Sequence, residues 1–189
     1  EFLENMSKIK KVNSFYAFEP QKNIFKELSE KFVKNEKVNL FNFAMDKEIS
    51  NKKLKVNKIS MKSSLAEINE NSLYLKFINF LAQSHSSFEG EYEVKTNTVD
   101  KVFGNINLHK ALLKIDVEGF EMNVIEGSQT KLGEIAFILL ENQFGNHFKN
   151  NNFKDITKFL SERNYIISKK FLFPTLHYQD VLFKKHNLF

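Results

Sequence analysis

Short apolar runs alternate along the chain with segments whose apolar residues have helical spacing. Residues 12–18 form an apolar-rich run that ends at Glu19-Pro20, and from 21 to 33 apolar residues recur on one helix face. Proline fits the first turn of a helix because it needs no backbone donor there. This part of the chain therefore predicts a strand, a turn and a helix.

The next stretch gives weaker patterns. A second apolar run, residues 38–45, is followed by the polar residues 46–48 and predicts another strand. Apolar residues between 54 and 59 indicate an exposed ribbon, those between 73 and 81 have helical spacing, and residues 92–98 alternate as in a strand. The middle of the chain is therefore mixed strand and helix.

The strongest pattern lies in the second half. Residues 111–117 form a continuous apolar strand interrupted only by Lys114 and Asp116, which fall on one face. Glu118-Gly119 then opens a helix carrying Val124, Ile125 and Leu132, and residues 135–140 predict a further buried strand that ends at Glu141-Asn142.

The C-terminal part adds a helix around residues 153–159 and a hairpin, formed by 165–173 and 180–185 with a turn at Pro174. Alternating strands and helices imply parallel pairing, and continuous apolar strands imply helices on both faces. We therefore expect one α/β domain over residues 1–189, a doubly wound, mostly parallel sheet with a C-terminal antiparallel hairpin.

Composition narrows the class of protein. The chain has 189 residues, which suits one core, and no cysteine, which excludes disulfides, thiolate zinc sites and cysteine nucleophiles. No apolar run approaches the roughly 18 to 20 residues of a membrane span, and no signal peptide is visible. These features predict a cytoplasmic protein in a reducing compartment.

The net charge of +5 raises the question of a nucleic-acid partner. Such partners bind clustered cations, whereas these lysines are scattered and often alternate with apolar residues, as in residues 53–56. We therefore expect no nucleic-acid partner.

Acidic residues stand at the ends of the predicted strands: Glu19, Asp46, Asp116 with Glu118, and Glu141. In open α/β sheets ligands bind beyond the carboxyl ends of strands, where carboxylates can accept hydrogen bonds from hydroxyls, hold a cation or take a proton. Each residue alone is better explained as a helix cap. The four positions together favour a binding site.

The block at residues 112–121, LLKIDVEGFE, followed by VIEG at 124–127, resembles the signature of FkbM-type methyltransferases. Weaker landmarks of that family occur in the same order: Phe18-Glu19-Pro20, Asn42-Phe43-Ala44, Ser63-Ser64-Leu65, Thr98-Val99-Asp100, Glu141 and Asp180-Val181-Leu182-Phe183. The resemblance covers nearly the whole chain.

The resemblance implies a class I, Rossmann-like fold that transfers methyl from S-adenosylmethionine to a hydroxyl of a sugar or small metabolite. The implied cofactor-binding residues are Glu19 and Pro20 at the ribose, and Ala44, Met45 and Asp46 along the adenine. The implied catalytic residues are Asp116, Glu118 and Lys114. The implied substrate residues are Ser64, His85 and Glu141.

Lys114 also has a structural interpretation. A lysine within an apolar strand needs a carboxylate nearby, and Glu141 on the next strand is the natural candidate.

One part of the family pattern is not in the sequence. A glycine-rich first strand and loop resembling DVGAN-G would precede the helix that residues 1–11 indicate, and it would bind the methionine part of the cofactor. We therefore expect the first strand to be missing. Either the sequence is N-terminally truncated, or the chain is a non-catalytic interaction module on a decayed methyltransferase fold. A sugar transferase is a third reading, but no DxD-type pair for a diphosphate metal is present.

Metal binding and histidine chemistry are not required by this pattern. Asp116 with Glu141 and Asn142 resembles the strand-end oxygens that hold Mg²⁺ in some catechol-type O-methyltransferases, yet the FkbM-like motifs do not need a metal, and none is predicted.

His85 and His109 are candidate bases for which a surface role is favoured. The expected partner is a small-molecule or saccharide acceptor, and the oligomeric state is left open.

Overall fold

The computed structural model describes residues 2–57, 63–64, 88–143, 153–172 and 178–186. The helices and strands in these ranges are α1 (Phe2–Ser7), β1 (Phe15–Phe18), α2 (Lys22–Phe32), β2 (Val38–Phe41), β3 (Ala44–Met45), β4 (Asn51–Asn57), β5 (Ser63–Ser64), β6 (Phe88–Asn97), α3 (Val99–Val102), β7 (Leu112–Ile115), α4 (Glu121–Glu126), a 3₁₀ turn (Leu132–Glu134), β8 (Phe137–Gln143), α5 (Phe153–Ser161), β9 (Tyr165–Leu172) and β10 (Tyr178–Lys185). The helix expected between 73 and 81 and the turn at Pro174 lie outside the described residues. Within the described ranges, no helix is both long and apolar enough to cross a membrane.

The strands form three sheets. β1 and β2 pair in parallel, β7, β8, β10 and β9 form a four-stranded sheet in that order, and β3, β6, β4 and β5 form another. β7 and β8 are parallel, whereas β10 is antiparallel to both β8 and β9. The α/β class and the C-terminal hairpin are confirmed. A single doubly wound parallel sheet is not found among the described strands.

The sheet that carries β7 and β8 buries one face more completely than the other. Ile138 and Leu140 of β8 are buried, whereas Phe137 and Leu139 are only half-buried, although all four are apolar. β10 alternates in the same way. The unbroken apolar run predicted helices on both faces, but the antiparallel partner strand gives β8 the one-sided burial that is typical of antiparallel sheets.

The main core lies on the buried face of this sheet. Its buried members are Met45, Val99, Phe103, Ile115, Val124, Ile125, Leu132, Ile135, Ile138, Leu140, Ile156, Leu160, Tyr165, Val181 and Phe183. The helix predicted around 153–159 is confirmed as α5, and its residues Ile156 and Leu160 reach the core because they lie four positions apart on one helix face.

The apolar run at residues 38–45 is two strands rather than one. β2 pairs with β1, whereas β3 pairs with β6 in a different sheet. Between them, the side-chain amide of Asn42 donates to the carbonyls of Glu19 and Pro20, at 2.9 and 3.2 Å. These two bonds fix a bend at Asn42, so the chain leaves the first sheet there.

Two further local predictions are wrong. Glu118 and Gly119 do not open a helix, because both have left-handed backbone, with φ of 50° and 92°, and α4 begins only at Glu121. Leu54, expected on an exposed ribbon, is buried against Val94. Residue spacing could not predict the late start of α4, because it depends on the left-handed backbone of residues 118–119. It could not predict the burial of Leu54 either, because that depends on Val94 of the partner strand.

Gly127 allows a close contact between α4 and the end of β3. A Cβ atom at this position would lie 2.0 Å from the carbonyl oxygen of Asp46, and that oxygen belongs to the backbone and cannot rotate away. The backbone N–H of Asp100 also donates to the carbonyl of Gly127, at 3.0 Å. The glycine of the VIEG block therefore serves close backbone packing.

We expect Gly127→Ala to lower the free energy of unfolding by about 3 kcal/mol, because the added methyl must displace backbone atoms. Gly133→Ala is the matched control, since its nearest neighbour, the Nζ atom of Lys185, is 3.9 Å away. Urea denaturation of both variants measures the difference. Equal stability of the two variants would contradict this packing role.

Candidate active site

Three carboxylates meet at the end of β7, beside the last residues of β8. Ile115 of β7 pairs with Leu140 of β8, so the residues that follow them, Asp116 and Glu141, lie level on adjacent strands. One oxygen each from Asp116, Glu118 and Glu141 lies within 4.8 Å of the others. The structure therefore brings together three of the acidic residues singled out in the sequence, at the edge where α/β sheets bind ligands.

Glu118 reaches this group through an unusual turn. Left-handed backbone costs a non-glycine residue about 1 to 2 kcal/mol, and Glu118 adopts it immediately before Gly119. The backbone N–H of Gly119 donates to Oε1 of Glu121 at 3.0 Å, which closes the turn from within. The turn brings the Glu118 carboxylate to Asp116 and Glu141 rather than continuing the strand.

Glu121 is a site residue that the sequence reasoning missed. Its side chain is only 3% exposed, and its Oε2 atom has no hydrogen-bond partner among the described residues. Burial raises the pKa of Glu121 to about 7, the backbone N–H groups of Glu121 and Gly119 oppose the rise, and the charges of Glu118 and Glu141 add to it. The Glu121 carboxyl group is therefore buried and close enough to Glu118 and Glu141 for their charges to raise its pKa.

Lys114 and Asp180 extend the charged row on the same face of the sheet. The ammonium of Lys114 is 2.5 Å from Oδ2 of Asp116, so its carboxylate partner in the structure lies two residues along its own strand. Asp180 on β10 pairs in register with Glu141. Burial raises the pKa of Asp180, Lys114 lowers it, and Asp116 adds to the rise. Three adjacent strands therefore place acidic residues side by side.

Glu19 directly follows β1, as predicted, and is not part of this cluster. Its Oε1 atom accepts the backbone N–H of Gln21 at 2.8 Å, ahead of α2. Burial raises the pKa of Glu19, and the bond from Gln21 opposes that rise. Pro20 stands before the helix N-cap, Gln21, rather than within the first turn. The carboxylate is half-buried at the carboxyl end of its strand.

Asp46 lies in the interior. Its carboxylate is fully buried, with Oδ2 at 2.5 Å from the ammonium of Lys52 and Oδ1 accepting from the amide of Asn123 at 3.2 Å. Partial burial alone would lower the pKa of Lys52, but Asp46 and Glu48 outweigh it and raise that pKa. Asp46 therefore connects β3, β4 and α4. Neither partner had a signal in the sequence, because the contact with Lys52 depends on the turn into β4 and Asn123 lies 77 residues further along the chain.

The structure gives fewer contacts for the remaining predicted residues. Ala44 and Met45 are buried in β3. Ser64 belongs to the short strand β5, where it pairs in register with Lys55, and His85 lies outside the described residues. His109 forms an isolated bridge with Ile135 before β7. The roles predicted for Ser64 and His85 stay predictions.

The described residues form an α/β protein with a cluster of acidic residues at the carboxyl end of β7. Residues 2–167 match the family model described as the methyltransferase FkbM domain, and the chain belongs to that family. Comparison with curated proteins and with solved structures gave no significant match. The family membership suggested by the LLKIDVEG block is therefore confirmed, and with it the general class of methyltransferase.

We expect Lys52→Met to destabilise the fold by about 2 kcal/mol, because it leaves the buried carboxylate of Asp46 without its cation. Lys53→Met is the matched control: the side chain of Lys53 is 75% exposed, and its pair with Glu91 should be worth at most about 0.5 kcal/mol. Urea denaturation measures both variants. A loss in Lys53→Met as large as that in Lys52→Met would refute the structural role of the buried pair.

Proposed function

We propose that the protein transfers a methyl group from S-adenosylmethionine to a hydroxyl of a sugar or another small metabolite. Membership of the FkbM methyltransferase family supports the reaction class. The observation that carries the proposal is the position of Asp116, which directly follows β7, lies beside Glu118 and Glu141, and is held by Lys114. A partly exposed carboxylate at a strand end can both meet a ligand and accept a proton.

Glu19 is the residue whose surroundings best fit the cofactor. It is a half-buried carboxylate at the carboxyl end of β1, and an ionised carboxylate accepts hydrogen bonds from adjacent ribose hydroxyls. The side chains of Ala44, Met45 and Asp46 are buried, so contact between this stretch and an adenine would involve its backbone. S-adenosylmethionine supplies a methyl group on a positively charged sulfur.

In the proposed reaction S-adenosylmethionine bound at Glu19 would supply the methyl group to the acceptor oxygen. Asp116 accepts the proton of the acceptor hydroxyl and later releases it to solvent. The contact with Lys114 holds the Asp116 carboxylate in place. Alignment of the two reactants accounts for most of the rate in a transfer of this kind.

The acceptor class follows from the groups around Asp116. Glu118 and Glu141 offer several hydrogen-bond acceptor oxygens close to Asp116, and sugars present several hydroxyl donors. A hydroxyl-rich acceptor is therefore favoured over an apolar one. The predicted contacts of Ser64 and His85 with the acceptor, and a cytoplasmic location, belong to the same proposal.

We expect Asp116→Asn to reduce methyl transfer by about 10²- to 10⁴-fold, the usual contribution of a general base, with little change in thermal stability. A methyl-transfer assay with a panel of saccharide acceptors, run beside a thermal melt, measures both effects. Asp155→Asn on the exposed side of α5 makes the same chemical change and should leave turnover unaltered. Full activity in Asp116→Asn would exclude the catalytic role.

We expect Glu19→Gln to weaken S-adenosylhomocysteine binding by about 10-fold, because an amide accepts ribose hydrogen bonds less strongly than a carboxylate does. Isothermal titration calorimetry measures the affinity, and Glu27→Gln on the exposed side of α2 is the control. The cofactor would have to lie elsewhere if Glu19→Gln bound as tightly as the unaltered protein.

A further inference from the structure

Glu121 lies at the junction between the left-handed turn of residues 118–119 and α4. Its Oε1 atom accepts the backbone N–H of Gly119 at 3.0 Å, and its carboxyl group also accepts its own backbone N–H. Phe120, the N-cap residue of α4, makes no side-chain cap hydrogen bond. The Glu121 carboxyl group is therefore the side chain that connects the turn to the first residue of the helix.

α4 is a well-packed support for this contact. Asn123 donates its side-chain amide to the buried carboxylate of Asp46 at 3.2 Å, and Gly127 lies against the backbone carbonyl of Asp46. Ile125 of the same helix is fully buried in the main core. The hydrogen bond from Gly119 therefore connects the turn to the packed interior of the protein.

Two features of this junction are unfavourable for stability. Glu118 has left-handed backbone, with φ of 50°, although it is not a glycine. The Glu121 side chain is only 3% exposed, yet its Oε2 atom has no hydrogen-bond partner within the described part of the chain. Strained backbone and buried unpaired polar atoms are both rare, and they commonly mark places where function requires an arrangement that packing alone would not favour.

We propose that Glu121 is a positioning residue of the candidate active site: its carboxyl group holds the left-handed turn before α4 and so keeps the Glu118 carboxylate beside Asp116. Glu121 acts through Glu118, which in the proposed function offers oxygens to the acceptor hydroxyls. The effect on catalysis therefore rests on the proposed function. The hold of Glu121 on the turn does not.

Amide hydrogen exchange followed by NMR tests this hold without cofactor or acceptor. Glu121→Met keeps a similar side-chain volume but removes the acceptor oxygen, so exchange of the Gly119 amide should rise at least about 10-fold more than that of the core amide of Ile138. Glu126→Met is the matched control on α4, because its carboxylate pairs with Lys47 at the surface, and it should leave Gly119 unaltered. An equal change at both amides in Glu121→Met, or no change at Gly119, would overturn the proposal.

Glu121→Gln separates the charge of Glu121 from its acceptor oxygen. Burial raises the pKa of Glu121 to about 7, its two backbone N–H donors oppose the rise, and the charges of Glu118 and Glu141 add to it. The amide proton of Gly119 should therefore shift downfield with a midpoint near pH 7, because a carboxylate accepts more strongly than a neutral carboxyl group.

The variants give this titration a definite outcome. Glu121→Gln should abolish the shift of the Gly119 amide but keep its slow exchange, since an amide oxygen still accepts the hydrogen bond. Glu118→Gln should lower the midpoint, because it removes one of the charges that raise the pKa of Glu121. A midpoint unchanged in Glu118→Gln would show that the turn does not hold Glu118 near Glu121, and the proposal would be wrong.

A double-mutant cycle distinguishes positioning from a general structural role. In the methyl-transfer assay, Glu118→Gln and Glu121→Met should each lower kcat/KM for a saccharide acceptor by about 10-fold, mainly through KM, and leave S-adenosylhomocysteine binding unchanged. The double variant should be no worse than Glu118→Gln alone, because Glu121 acts through Glu118. A further loss of about 10-fold in the double variant, or no loss in either single variant, would exclude the positioning role.

Failure of this inference can be told apart from failure of the proposed reaction. If the unaltered protein transfers no methyl group, exchange and titration of the Gly119 amide still decide whether Glu121 holds the turn. If methyl transfer occurs but the Gly119 amide exchanges alike in Glu121→Met and in the unaltered protein, the positioning role is wrong and the reaction stands.

Discussion

The buried carboxylate of Asp46 joins the parts of the chain on which the site depends. It meets the ammonium of Lys52 from β4 and the amide of Asn123 from α4, while its own carbonyl packs against Gly127 at the end of α4. A buried carboxylate without such partners would be strongly unfavourable, so it is satisfied only when these parts have come together. Because α4 begins at Glu121, this contact also positions the turn that carries Glu118.

The cluster of acidic residues forms at a cost to the stability of the fold. Acidic residues on β7, β8 and β10 are brought level by the register of the strands, which the core on the opposite face of the sheet holds in place. Bringing like charges together is unfavourable, and the turn at Glu118 adds backbone strain. Arrangements that cost stability in this way commonly mark functional sites, because folding alone would not favour them.

Local sequence patterns predicted the elements whose burial follows directly from the spacing of apolar residues. These elements are the helices α2 and α5, the C-terminal hairpin, and the strand that Asp116 follows. The prediction failed where a single side chain redirects the backbone. Asn42 ends one strand by bonding to the carbonyls of Glu19 and Pro20, and the left-handed residues 118–119 delay the helix that follows.

The sequence by itself determined the family, through the LLKIDVEG block, and it identified Asp116, Glu118 and Glu141 as acids at strand ends. Only the tertiary structure decided that these three meet, that Glu121 is buried, and that Asp46 belongs to an interior ion pair. Residue type and residue order are properties of the sequence, so motifs can be recognised in it. Distances between strands, and the burial of charged groups, exist only after distant segments have packed together.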